Sequence, residues 1–464
     1  MNQNTIQFFS YLRDKRIAIM GIGVSHIDVI HMLAGKAATI IACDKRDPEA
    51  FDNALLEEFA ALGVELRLGS SYFDLLDFDI LFRTPGMYFN LPRLREFRDK
   101  GGIVTSEIEI FFDLCPCKTI AVTGSDGKTT TTTLIAEMLR EAGKTVHLGG
   151  NIGKALMPEI LKISSEDFAV VELSSFQLIS MRKSPDIAVI TNVEPNHLDV
   201  HGNMDEYTDA KRNLYAHQNA FGLTVLNNDN PTTRSFLPLL RGTGRLFSLK
   251  DKIHGAWLRD DGMLCFTDNN ENTEELFHKN DIKLPGEHNI ANYLTAIAAV
   301  WGIVPTLSMY SVAKNFGGVE HRIEFVRELD NVKWYNDSIA TSPTRAIAGL
   351  KSFSQKLVMI AGGYDKKIPF EPLAPYVTKH VKLLILIGDT ASKIDAAVRA
   401  DASYNNDVPV IMHANDLAHA VLIAQRETCF GDIVTLSPAS ASFDHYPNFE
   451  VRGKHFKQLV NDLV

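Results

Sequence analysis

The chain has 464 residues and a formal net charge of −10, from 47 lysines and arginines against 57 aspartates and glutamates. That length suits about two to four domains, each able to bury a core of its own, and the shortage of cations argues against general nucleic-acid binding. No apolar run reaches membrane-spanning length, and Met1 to Arg16 offers only FFSYL ahead of Arg13, Lys15 and Arg16, so neither membrane insertion nor an export signal is expected. Five scattered cysteines, an odd number, fit a reducing, cytoplasmic setting.

The first segment opens with the strand-like Arg16-Ile17-Ala18-Ile19-Met20, then Gly21-Ile22-Gly23-Val24-Ser25-His26 and a helical stretch. A second strand, Thr39 to Cys43, ends at Asp44, about where a dinucleotide fold places its ribose-binding carboxylate. His26 stands where the third glycine of that fingerprint belongs, so the match to a nicotinamide site is incomplete. The pieces ELRLG, DILFR and IVTS continue a doubly wound α/β pattern to about Glu107. Cys115-Pro116-Cys117 has no partner cysteine pair or paired histidines nearby and is expected to be a loop between domains.

The second segment carries Thr123-Gly124-Ser125-Asp126-Gly127-Lys128-Thr129-Thr130 between an apolar strand and a helical run. A glycine-punctuated turn into a helix N-terminus gathers backbone N–H groups and positive potential, which suits a polyphosphate. Lys128 is then placed to neutralise terminal phosphates and Thr129 to ligate Mg²⁺. The spacing is two residues shorter than in the common P-loop. Runs such as KTVHLGG, FAVVELS, DIAVITN and GLTVLNN predict a mostly parallel sheet buried on both faces. Glu172 closes one of these strands and is suited to hold Mg²⁺. His197 follows another, open to a ligand role or to a packed core role. Lys211, taken alone, is an ordinary surface lysine. DNNENTEEL is expected to be a solvated loop. Asn289 and Asn292, after Leu284-Pro285-Gly286, either pair with a base edge or cap a helix.

The third segment repeats the strand pattern in KLVMIAGG, KLLILIG, VPVIMHA and DIVTLSP. Arg322 suits a phosphate, and Asp337 suits a ribose hydroxyl pair or a turn cap. Lys366 on a glycine turn and Ser442 in a serine-rich strand end can together bind an amino-acid carboxylate.

The stretches E-L-S-S-F-Q, N-x-x-x-N-H-L-D, A-K-x-x-L-Y, L-P-G-x-H-N, N-D-S-x-A-T, S-P-A-x-A-S-x-D and N-F-E-x-R-G together resemble the ATP-dependent Mur ligases of bacterial cell-wall precursor synthesis. The resemblance implies three α/β domains: an N-terminal Rossmann-like UDP-substrate domain (1–107), a central P-loop ATP domain with a mostly parallel sheet (108–318), and a C-terminal Rossmann-like amino-acid domain (319–464). It implies ATP contacts at Gly124, Ser125, Asp126, Gly127, Lys128, Thr129, Thr130, Asn289, Asn292, Arg322 and Asp337. UDP-substrate contacts follow at Gly23, Val24, Ser25, Asp44, Lys45, Arg46, Thr84, Gly86 and Asn151, and D-glutamate contacts at Thr341, Lys366, Ser442 and Phe449. Lys128, Glu172, His197 and Lys211 become the catalytic set, with two Mg²⁺ ions held by Thr129, Glu172, His197 and a CO₂-derived carbamate on Lys211. The implied substrates are ATP, UDP-N-acetylmuramoyl-L-alanine and D-glutamate, acted on by a monomer. The chain departs from the family pattern at Ile339, where a lysine is common, and Lys367 either supplies the missing charge or is a solvated surface lysine.

Overall fold

The computed structural model describes residues 3–195, 201–405 and 408–464. They form an α/β protein with three mostly parallel sheets. The chain divides into two compact units, one of residues 1–281 with 290–312, the other of residues 282–289 with 313–464.

The first unit holds two sheets. Strands β1 (Arg16–Met20), β2 (Thr39–Asp44), β3 (Glu65–Leu68), β4 (Ile80–Phe82) and β5 (Ile103–Thr105) make an all-parallel sheet in the order β3-β2-β1-β4-β5. Its central strands read as unbroken apolar runs because helices cover both faces, and Ile17 to Met20 are fully buried. Strand order reverses at β1, so the loops after β1 and β4, Gly21–Ser25 and Thr84–Gly86, flank the crevice where open α/β sheets bind ligands. Gly21 takes φ +87°, a left-handed conformation that glycine reaches without a Cβ clash.

The second sheet contains β6 (Lys118–Thr123), β7 (Val146–Gly150), β8 (Phe168–Glu172), β9 (Ile187–Ile190), β10 (Leu223–Asn227), β11 (Thr243–Ser248), β12 (Gly255–Leu258), β13 (Met263–Thr267) and β14 (Thr273–His278). Their order is β14-β13-β12-β11-β10-β9-β6-β8-β7. From β7 to β12 the pairing is parallel, and β12, β13 and β14 are antiparallel. β6 lies between β8 and β9, which brings the loop after Thr123 beside the ends of both neighbours. The expectation of a solvated loop over DNNENTEEL is corrected: Asp268 to Asn272 turn, and β14 follows as an edge strand. Glu274 and Glu275 face solvent while Phe277 is buried. An edge strand with charged outer side chains gives too little apolar alternation to be recognised.

The second unit contains β15 (Glu324–Leu329), β16 (Val332–Asn336), β17 (Leu357–Gly362), β18 (Val381–Ile387), β19 (Val410–His413) and β20 (Ile433–Leu436), ordered β15-β16-β20-β17-β18-β19. Only the β15–β16 pair is antiparallel. Asp337, Ser437 and Gly363 follow the carboxyl ends of adjacent strands.

Arg83 joins the first two sheets. Its side chain is 1% exposed, and its guanidinium donates to the carbonyl oxygens of Phe176 at 2.8 Å and Met87 at 3.3 Å and to Ser180 Oγ at 2.7 Å. Arg83→Met keeps the apolar stem but leaves these buried acceptors without a donor, at an expected cost of about 2–4 kcal/mol. Urea unfolding followed by circular dichroism should show a lower midpoint, and an unchanged midpoint would show that the guanidinium holds nothing together.

Candidate functional site

The loop after β6 is built by hydrogen bonds from three directions. Asn192, after β9, accepts the backbone N–H groups of Ser125 and Asp126 on Oδ1, both at 2.9 Å. Thr191 Oγ1 donates to the Asp126 carbonyl at 2.6 Å, and Ser125 Oγ donates to the Glu194 carbonyl at 2.9 Å. The Tyr207 hydroxyl lies 3.0 Å from Ser125 Oγ. Gly127, at φ +76°, precedes the helix Lys128–Glu141, and a Cβ there would strike Asn292 Oδ1. The Ser125 and Asp126 N–H groups, expected to face phosphate, are thus taken by Asn192. The anion-binding groups that remain are those of the first helical turn, which a helix leaves outside its own ladder.

Two lysines meet behind this loop. Lys128 Nζ donates to the carbonyls of Gly124 and Ser125, both at 2.9 Å, and Lys211 Nζ donates to the same Gly124 carbonyl at 2.7 Å. Lys211 is 1% exposed, not a surface lysine, and its Nζ lies 4.5 Å from the Tyr207 ring centroid. Burial first, and then the neighbouring Lys128 charge, lowers its pKa well below the ordinary lysine value. The helix Met204–Ala216 places it there, starting behind Asn203, whose side chain accepts the Glu206 N–H.

Glu172 at the end of β8 is 2% exposed. Its Oε1 accepts from Asn151 Nδ2 at 2.9 Å, while Oε2 is buried with no hydrogen-bond partner among the described residues. A buried carboxylate oxygen of this kind fits a cation. Thr129 is buried in the first turn of the adjacent helix. Among the described residues no cluster of three or more His, Cys, Asp or Glu side chains forms a metal site; His197 lies outside the described residues. The sequence did not single out His201, which is fully buried, sits 2.8 Å from Ser175 Oγ and stacks on Phe176 at 5.0 Å.

A cleft of about 170 Å³ opens beside Glu172's partner Asn151, lined also by Ser25, Arg83, Ser106 and Gln177. Gly23 precedes the helix that Val24 opens, and Thr84 to Gly86 form the turn after β4. Asp44 is committed to structure: it accepts from Ile22 N at 2.8 Å and from the Arg46 guanidinium at 3.0 and 2.8 Å. Burial opposes ionisation, but these donors outweigh it and hold the carboxyl at about 2. Lys45 and Arg46 are exposed.

Asn292, in the first unit, accepts from Thr131 Oγ1 at 3.3 Å. Asn289, in the second, donates to the Pro285 carbonyl at 2.6 Å. Both lie inside the helix Glu287–Val300, so neither is its capping residue.

In the second unit Asp337 is 4% exposed and accepts from Ser437 Oγ at 2.9 Å and Ile323 N at 3.3 Å. Arg322 is half-buried and near enough to favour the Asp337 charge. Arg452 was quoted in a motif but not given a role. It is 1% exposed and donates to the carbonyls of Ser338, Ser440 and Ala441 at 3.0–3.1 Å, binding two strand-end loops together. Its position on the apolar face with Phe449, Phe456 and Val460 was the available signal. Tyr364 N bonds the Ala441 carbonyl at 3.0 Å, which sets the Lys366 loop beside buried Ser442. Phe449 meets the His321 ring edge-on, and Thr341 follows the Asp337 loop. The cation set against Ile339 is Arg345, which donates to its carbonyl at 3.3 Å, while Lys367 is exposed.

Burial pushes the Asp337 carboxyl from its ordinary 3.8 up to about 7, against the hydrogen bond from Ser437. The folded state therefore holds this proton where the unfolded chain has lost it, so stability falls as pH rises from about 4 to 7 and is flat above. Asp337→Asn should remove that slope, raising the melting midpoint at pH 8 more than at pH 5. An equal shift at both values would place the carboxyl in its ordinary range.

Residues 122–300 match the Mur ligase middle domain, and residues 321–440 match the Mur ligase, glutamate ligase domain. The chain is 49% identical, over the full length of both, to the UDP-N-acetylmuramoylalanine–D-glutamate ligase of Acetivibrio thermocellus, and 46% identical over full length to that of Clostridium kluyveri. Its fold is similar to the UDP-N-acetylmuramate-alanine ligase of Thermotoga maritima, with TM-score 0.58 and 18% identity over 96% of this chain and 99% of that one. A UDP-N-acetylmuramoyl-L-alanyl-D-glutamate–2,6-diaminopimelate ligase gives TM-score 0.55 at 16% identity, over 98% of this chain and 94% of that one. With its loop, buried lysine and strand-end carboxylate in this setting, the chain belongs to the Mur ligase family.

Proposed function

We infer that the protein joins D-glutamate to the L-alanine carboxylate of UDP-N-acetylmuramoyl-L-alanine, using ATP, in peptidoglycan precursor synthesis. The observation that carries this is the end-to-end relationship to ligases of that name. The reading places the work in the cytoplasm, where no membrane-spanning helix is needed and none occurs among the described residues. It also assigns residues 1–107, 108–318 and 319–464 to the UDP-substrate, ATP and amino-acid domains.

Joining a carboxylate to an amine in water requires a better leaving group than oxide. ATP phosphorylates the L-alanine carboxylate, the D-glutamate amine attacks the resulting acyl phosphate, and the tetrahedral adduct collapses to amide and phosphate. The first helical turn after Gly127 receives polyphosphate through its N–H groups. Lys128, which rests on the Gly124 and Ser125 carbonyls, turns its ammonium to the transferring phosphoryl group and stabilises charge that grows in the transition state. Asn192 holds the loop backbone still while this happens. Asn151 orients Glu172 through Oε1 and leaves Oε2, without a protein partner among the described residues, where it would take a cation.

Two Mg²⁺ ions held by Thr129, Glu172, His197 and a carbamate on Lys211 would supply charge neutralisation between the anionic carboxylate and phosphate. The unpartnered Glu172 oxygen supports the first of these assignments. Lys211 supports the second, because only a neutral amine adds CO₂ and burial, with the Lys128 charge, favours the neutral form of this one. In the second unit Arg322 and Asp337 are assigned to ATP, and Thr341, Lys366, Ser442 and Phe449 to D-glutamate.

Phosphate release measured with UDP-N-acetylmuramoyl-L-alanine and a panel of acceptors tests the reading. D-glutamate should support turnover, with L-glutamate, L-alanine and diaminopimelate at least about a hundredfold slower. Comparable rates with another acceptor, or release without any acceptor, would overturn it.

A further inference from the structure

The described residues contain one close thiol pair that the ligase chemistry does not use. Cys115 caps the helix Glu107–Leu114, and Cys117 directly precedes β6. Their sulfurs are 3.5 Å apart and unbonded, and Cys115 Sγ also faces the Cys117 carbonyl at 3.9 Å. Cys115 is half-buried and Cys117 is buried against the core. Two residues of extended chain span at most about 7 Å, so the Cα separation falls within or near the range a disulfide bridges. Closing the sulfur gap needs a shift of about 1.5 Å, within the reach of side-chain rotation.

We propose that Cys115 and Cys117 form a peroxide-oxidisable dithiol, with Cys115 as the attacking thiol and Cys117 as the resolving one. The geometry assigns the roles, since an oxidant reaches Cys115 first and Cys117 lies directly behind it. The hydrogen bond from Cys117 lowers the Cys115 pKa, against burial and the Asp186 charge, with a smaller lowering from Lys183. The Cys115 thiolate attacks one oxygen of a hydroperoxide, the O–O bond breaks, and the alcohol or water leaves with the departing oxygen. Cys115 becomes a sulfenic acid. The Cys117 sulfur then attacks the Cys115 sulfur, the S–O bond breaks, and the hydroxide leaves as water with the Cys117 proton. The electron pair lost by the two sulfurs is the one gained by the peroxide. The resulting ring would fix the turn between the helix whose first residues line the cleft and the strand that ends in the phosphate loop.

The tryptic peptide Gly101–Lys118 contains both cysteines and no other. After limited hydrogen peroxide and iodoacetamide alkylation in denaturant, this peptide should be lighter by two hydrogens and unalkylated, while exposed Cys429 still alkylates. Dithiothreitol should restore two alkylatable thiols. In Cys117→Ser, Cys115 should accumulate as a sulfenic acid that dimedone captures. The wild-type peptide reads the bond without any variant. If Cys429 oxidises while Cys115 and Cys117 both still alkylate, or if the peptide gains oxygen without losing two hydrogens, the proposal is overturned.

Discussion

Two lysine side-chain nitrogens donate to one carbonyl oxygen, that of Gly124. A loop that turns its N–H groups towards a polyphosphate turns carbonyls the other way, and a buried carbonyl needs a donor. Here the donors are the two lysines that the proposed chemistry needs. Packing two full positive charges together is unfavourable, and Lys211, the more buried, yields by losing its proton more easily. The same contact thus completes the loop and favours the neutral form of the buried amine. It also gives Lys128 a resting place from which a phosphate can draw it.

The rest of the architecture serves that arrangement. β6 lies between β8 and β9, so Glu172 and the pair Thr191 and Asn192 flank the loop from either side. Asn192 and Thr191 fix its backbone, and Asn151 fixes Glu172. Arg83 brings the first sheet to the helix after β8 and so places the cleft next to Asn151. In the second unit the chain uses a similar device, with a buried arginine, Arg452, holding strand-end loops through their carbonyls. Both arginines act as donors to backbone, so their value is geometric and removing either exposes several unpaired oxygens at once.

Much of this was legible in the residues. The strands that carry the loops are short, β-branched and buried on both faces, and they stood out as apolar runs. What escaped was of two kinds. Edge strands such as β14 and β15 carry charged side chains on their open faces and do not alternate cleanly. Contacts between distant segments escaped too. Nothing local to Asn192 announces that its amide oxygen closes the loop at Ser125 and Asp126, and nothing local to Lys211 announces its burial. Asp44 was read as a ribose ligand from its spacing, yet most of its acceptor capacity is used by Ile22 and Arg46. Chemistry-bearing residue types are visible in a sequence; the partners that occupy them are set by tertiary packing.

The central claim is that burial lowers the Lys211 pKa and so makes its neutral amine available. Nuclear magnetic resonance of the protein in ¹³C-bicarbonate tests it directly, because a carbamate forms only on an unprotonated lysine. The account predicts one slowly exchanging carbamate carbon signal that is absent from Lys211→Arg and is lost as pH falls. If the wild-type protein shows no such signal while a labelled Lys211 Nζ titrates in the ordinary lysine range, the account is contradicted.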